Sequence, residues 1–118
     1  MKDSNSVGQF EQLVLSAIVA LGENAYGVAI FERVCLLADK RVNLGSLYVT
    51  LDRLQDKRFL KSRVSEPLPE RGGRRRKYYQ MELAGEIALR ESLAASRRAY
   101  DAAEDLWTAI RKLTRGGI

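Results

Sequence analysis

With 118 residues, 46% of them apolar and 30% charged, the chain is long enough for one modest core and reads as a soluble globular domain. The absence of histidine and the single cysteine, Cys35, exclude histidine-based triads, most zinc sites, the commonest general base and any internal disulfide, so neither cofactor nor metal is expected. The net charge of +5 is unevenly spread: Lys40 to Tyr79 holds twelve Lys/Arg against four Asp/Glu, a local +8, while the remainder holds eight against eleven, or −3.

A basic middle between acidic flanks favours a nucleic-acid partner over an acidic membrane or protein surface. Simple solubility is the plainer alternative. No apolar run approaches the ~20 residues that span a bilayer, and "MKDSNSVGQF" lacks a signal peptide's apolar core. A cytoplasmic protein without membrane contact is expected.

In chain order, a first helix is predicted from about Val7, with Ser6 as cap and Gln9 at capping-box spacing. Phe10, Leu13, Val14, Ala17, Ile18 and Leu21 form its buried stripe, and Gly22 ends it. A second helix is predicted over Ala25–Ala38, covered on two sides: Tyr26, Ile30, Val34 and Leu37 share one face, and Val28, Phe31 and Cys35 lie on another. After the charged connector Asp39–Asn43, Asn43 caps a third helix. Leu44, Leu47, Leu51 and Leu54 bury one side of it, and Gly45, Ser46, Val49, Asp52 and Arg53 line the other.

The period then changes to alternation. "FLKSRV" (Phe59–Val64) and "KYYQMEL" (Lys77–Leu83) read as two strands joined by a long loop with two prolines and two glycines. A final helix of roughly thirty residues is predicted from Ala84 to Thr114, about 45 Å long. Three helices, a hairpin with a basic tip and one long helix predict a mainly α fold with a small antiparallel β-hairpin (α+β): a winged helix-turn-helix over 1–83 and a dimerisation helix over 84–118.

"LGSLYVTLDRLQDKRFL" followed by "GGRRRKYYQMELAG", with "AYGVAI" at the second helix, resembles the PadR-like transcriptional regulators. The match runs from Phe10 to about Leu89, and the single closing helix looks like the short form of that family. The chain departs from the family pattern at Val49 and Arg75, where proline is usual, and at Glu82, where threonine is. The resemblance implies double-stranded DNA as partner and assigns phosphate contact to Lys77 and Tyr79. It also implies a small aromatic effector at a dimer interface, where Phe10, Tyr100 and Trp107 are the candidates; ordinary interface aromatics are the plainer reading.

The residues give the rest of the expected DNA surface. A helix of this size fits the major groove. Ser46 and Thr50 offer hydrogen bonds there, Val49 an apolar contact, Arg53 a guanidinium, and Tyr48 a hydroxyl for phosphate, with Asn43 at the helix entry. Gly72 and Gly73 let the loop tip bend, and Arg74, Arg75 and Arg76 reach along the backbone or into the minor groove.

In the last helix, Leu89, Leu93, Ser96, Tyr100, Ala103, Trp107, Ile110 and Thr114 alternate steps of four and three, widened by Leu106 and Leu113. Such a seam predicts a homodimer. With no activation segment, a DNA-bound dimer of this kind is expected to repress. A winged helix serving protein interaction or RNA binding is the competing class.

Overall fold

The structure, a computed structural model, describes residues 6–116; the outer ends of the two expected segments, 1–5 and 117–118, lie outside it. Its elements are α1 (Gln9–Leu21), α2 (Gly27–Ala38), α3 (Leu44–Asp56), β1 (Leu60–Val64), β2 (Lys77–Met81) and α4 (Leu83–Gly116). Short 3-10 turns occupy Gly22–Asn24 and Pro69–Arg71.

α1 begins two residues later than the capping pattern suggested. Its cap is Gly8, not Ser6, and the residue that reaches back is Glu11, whose Oε1 accepts from the Gly8 amide at 2.9 Å. Glu11 was available for this role because it also faces inward, where Lys57 Nζ approaches Oε2 at 2.9 Å and the Ser6 carbonyl at 3.2 Å. One lysine thus joins the end of α3 to the start of α1.

The core is built from α1 (Val14, Leu15, Ala17, Ile18), α2 (Ile30, Val34) and α3 (Leu47, Leu51, Leu54), closed by Phe59, Leu60, Tyr79 and Leu89. α2 starts at Gly27 rather than Ala25, because Ala25 and Tyr26 are drawn into the sheet. The Tyr79 amide donates to the Ala25 carbonyl at 2.8 Å, and Tyr26 bridges Tyr78 in antiparallel fashion. The expected two-sided burial of α2 is only partial: Phe31 packs on the core, but Val28 and Leu37 are exposed. Leu44, expected on the buried side of α3, is exposed as well.

β1 and β2 pair antiparallel, with Leu60 opposite Met81, Ser62 opposite Tyr79, and Arg63 opposite Tyr78. The Glu82 amide donates to the Phe59 carbonyl at 2.9 Å, fixing the exit from β2. α4 follows at once. A Cβ on Gly85 would collide with the Phe59 carbonyl oxygen, so only glycine lets the helix lie this close to the start of β1. Gln12 Nε2 of α1 then donates to the hydroxyls of Ser92 at 2.7 Å and Ser96 at 3.0 Å.

Beyond Ser96, α4 leaves the body. Its 34 residues span about 51 Å at 1.5 Å per residue. The radius of gyration is 18.6 Å, against about 13.5 Å for a compact chain of this length.

Two outcomes test this account. Glu11→Gln is expected to cost about 1–3 kcal/mol at neutral pH, since charged hydrogen bonds to Gly8 and Lys57 are lost. Burial alone would raise the Glu11 carboxyl, but the Gly8 amide and the Lys57 and Arg53 charges outweigh it and hold the carboxyl below its ordinary value. A lowered folded pKa stabilises the protein above the unfolded value of 4.5 and loses that stabilisation as pH falls through the folded one. The gap between wild type and E11Q in urea denaturation therefore narrows in acid. Separately, Gly85→Ala should cost about 1–3 kcal/mol through overpacking against backbone that cannot yield, read as a lower urea midpoint at unchanged slope.

Candidate nucleic-acid interface

α3 earns its position from both ends. Asn43 Oδ1 accepts from the Ser46 amide at 2.8 Å, so this side chain is occupied as a helix cap. Near the C-terminal end, Gln55 Nε2 donates to the Ser62 hydroxyl at 2.9 Å and ties the helix to β1. With Leu47, Leu51 and Leu54 fully buried, helical spacing turns Ser46, Val49 and Arg53 outward along one line, and all three are exposed.

Tyr48 stands at the edge of this line, half-exposed. Its phenol lies over Gly27, and its hydroxyl would be struck by any Cβ there. That contact places the hydroxyl at the first turn of α2. Thr50 is the exception among the expected contacts. It is 4% exposed, because it falls on the Leu47–Leu54 side of the helix, and it belongs to the core rather than to a groove-facing surface.

The hairpin separates its two tyrosines. Alternation sends the Tyr79 ring into the core, so it is not the open phosphate ligand expected of it. Burial, with the Asp52 carboxylate and the Tyr48 phenol close by, pushes its hydroxyl above the ordinary tyrosine range. It therefore stays protonated, at the junction of the hairpin with α3. Lys77, exposed, stands with its ammonium 5.4 Å from the Tyr79 ring centre.

On the opposite face, Tyr78 meets Tyr26 edge-on with centroids 5.7 Å apart. Two guanidiniums complete the stack: Arg76 lies 3.8 Å over Tyr26, and Arg63 lies 4.6 Å over Tyr78. Arg76 also donates to the Tyr78 hydroxyl at 3.5 Å, a contact that raises the guanidinium pKa. Arg76 is thus folded onto aromatic faces instead of extending from the tip with Arg74 and Arg75. Sequence reading missed this four-residue stack. The signal was available in the period of two, which puts Tyr78 and Arg76 on one face and Tyr79 on the other.

The tip carries its own hydrogen bonds. Ser65 and Arg76 exchange two, the Ser65 amide to the Arg76 carbonyl at 2.8 Å and the Arg76 amide to the Ser65 hydroxyl at 2.9 Å. Gly72 and Gly73, at φ 65° and 83°, turn the chain where residues with a side chain would be strained. Arg74 is steadied by its Nε donating to the Arg71 carbonyl at 3.0 Å. Arg74 and Arg75 remain exposed.

Of the expected dimer residues, Leu89 is buried in the chain's own core, whereas Leu93, Tyr100, Trp107 and Ile110 are exposed along α4 and Ala103 is half-buried. The three effector candidates do not meet within one chain. Phe10 packs on the core at the start of α1, while Tyr100 and Trp107 lie on the projecting arm. A groove of about 1050 Å³ between α1, the hairpin and the base of α4 has Ile18, Val19, Met81, Leu89 and Leu93 in its walls, and none of those three aromatics. Among the described residues, no group of acids and cysteines is placed to hold a metal, and no helix is long and apolar enough to cross a membrane.

Comparison with known proteins matches this geometry. The model of the transcriptional regulator PadR-like family fits residues 14–91. A PadR family transcription regulator from Clostridium difficile R20291 superposes with a TM-score of 0.69 at 24% identity, covering 85% of this chain and 99% of the other. One from Eggerthella lenta gives 0.64 at 27% identity, covering 81% of each chain. The Aeropyrum pernix ORC1 protein, solved in complex with DNA, gives 0.60 at 26% identity, over 80% of this chain and 26% of that one. No curated protein matches the sequence. The winged helix-turn-helix with its long closing helix, and a family model spanning most of the chain, establish that the protein belongs to the PadR-like family of DNA-binding transcriptional regulators and is not an enzyme.

Proposed function

We propose that the protein is a homodimeric repressor that binds a palindromic operator. The observation that carries this is the outward line Ser46–Val49–Arg53 on α3, joined through Gln55–Ser62 to a hairpin whose tip exposes Arg74 and Arg75. Ser46, Val49 and Arg53 read base edges in the major groove, and Tyr48, Lys77, Arg74 and Arg75 grip phosphates on either side. Residues 1–83 serve as the DNA-binding unit. Residues 84–118 serve as the dimerisation helix, with the first turns of α4 sharing the core of the DNA-binding unit. That the similar Aeropyrum pernix ORC1 protein was solved in complex with DNA supports DNA as the partner.

Two copies related by a two-fold axis place two α3 helices on half-sites about one turn, ~34 Å, apart. A dimer bound across a promoter blocks polymerase, and the protein acts in the cytoplasm where its DNA lies. A small aromatic molecule at the dimer interface, against Tyr100, Trp107 and Phe10, releases it; the exposure of both arm aromatics supports a site completed only in the dimer.

Two measurements test this reading. Arg74→Ala with Arg75→Ala should weaken specific and random duplexes alike and reduce the slope of log affinity against log salt by about 2, as each lost phosphate contact removes ~0.9. Ser46→Ala or Arg53→Ala should instead change base preference, by about 1–3 kcal/mol at one position of a site selected from random duplexes. Both sets acting identically would refute the division of roles. In transcription reconstituted on a promoter carrying the selected site, added protein should lower transcript yield; an increase would refute repression.

A further inference from the structure

The outer part of α4 leaves Leu93, Tyr100, Leu106, Trp107, Ile110 and Leu113 each 44–74% exposed, more apolar surface than an isolated domain of this size ordinarily shows along one helix. We propose that α4 of a second copy covers this face, lying antiparallel in one register centred between Asp101 and Ala102. The proposal rests on the dimeric reading above and adds the direction and register of the pairing.

Size complementarity is the first argument. The seam positions 89, 93, 96, 100, 103, 107, 110 and 114 read the same from either end, so an antiparallel copy brings each onto another seam position. In the central register, Tyr100 meets Ala103 of the second copy, Trp107 meets Ser96, and Ile110 meets Leu93. In the flanking row, Leu106 meets Ala99 and Leu113 meets Ser92. Four of these five pairs set a bulky side chain against a small one. A parallel pair would instead stack Tyr100 on Tyr100 and Trp107 on Trp107, with voids at Ala103 and Ser96, which close packing disfavours.

Charge selects the register. On the other flank, Arg97 faces Glu104 of the second copy, twice by symmetry. Sliding the antiparallel pair by one heptad in one direction sets Arg97 against Arg97, and in the other sets Glu104 against Glu104. Arg90 and Arg111 do face each other in the central register, but each has an acid on its own helix: Glu86 at 3.0 Å and Glu104 at 3.6 Å. Ser92 and Ser96 are already engaged by Gln12, so apolar side chains can cover them with little loss of hydration. Twofold burial of six large side chains hides on the order of 1,200 Å², within the range of specific interfaces.

The test uses the full chain carrying Cys35→Ala, with folding checked by circular dichroism. Under mild oxidation, Leu93→Cys combined with Ile110→Cys should give a disulfide-linked dimer, and neither single variant should. Linkage of either single variant means parallel pairing and overturns the proposal while leaving a dimer. In sedimentation equilibrium, Glu104→Arg should weaken the dimer about tenfold, and adding Arg97→Glu should restore it. Failure to restore overturns the register alone. A wild-type chain that sediments as a monomer overturns both this proposal and the dimeric reading beneath it.

Discussion

The hydrogen bond from the Tyr79 amide to the Ala25 carbonyl, 2.8 Å long, with the Tyr79 ring sunk into the core beside it, is the point on which the arrangement turns. A two-stranded hairpin is marginal by itself in water. Here β2 gains a second neighbour at Tyr26 and an anchor between the helices. Once Tyr79 faces inward, the pleat leaves no choice about the rest. Arg63 and Tyr78 must face away from the core, and the chain must leave β2 toward Phe59 and α4. Hairpin angle, the position of α3 beside it and the root of the arm follow from one buried side chain and a few backbone bonds.

The same alternation divides the basic residues into two groups with different physics. Arg63 and Arg76 lie on tyrosine faces, where the ring quadrupole holds a cation. The Nε atoms of Arg71 and Arg76 are buried with no acceptor among the described residues, so these side chains are held as much by packing as by polar contact. Arg74 and Arg75 follow the left-handed glycines and are exposed, Arg74 with its Nε on the Arg71 carbonyl. The charge density of "RGGRRRKYY" is thus part buttress and part open surface, although in the sequence the arginines look equivalent.

That equivalence explains which features were legible. Element order and the start of α3 at its Asn43 cap could be read because each rests on local spacing or local chemistry. The Leu47–Leu51–Leu54 stripe was equally plain, but Thr50 was misplaced: a hydroxyl invites a polar role, while helical geometry puts position 50 beside Leu47 and Leu54. Gly8 has no side chain to announce a cap, so the start of α1 was assigned to the nearest serine. The exposure of Val28 and Leu37 depends on how far neighbouring elements extend, and the stack of Arg76 on Tyr26 joins residues fifty positions apart. No local pattern encodes either.

The join between body and arm bears on how a dimer could read DNA. A single residue, Glu82, separates β2 from α4, and its amide is bound to Phe59. Gly85 then rests against that same carbonyl, and Gln12 grips Ser92 and Ser96 further along. A flexible linker would let two winged helices sample many separations. A helix seated this tightly carries its orientation into the body without slack. In the proposed dimer, the distance between the two α3 helices is therefore set by the α4 seam rather than by the DNA. A molecule wedged between the arms would move both α3 helices together, which would give the proposed release by an effector its mechanical basis.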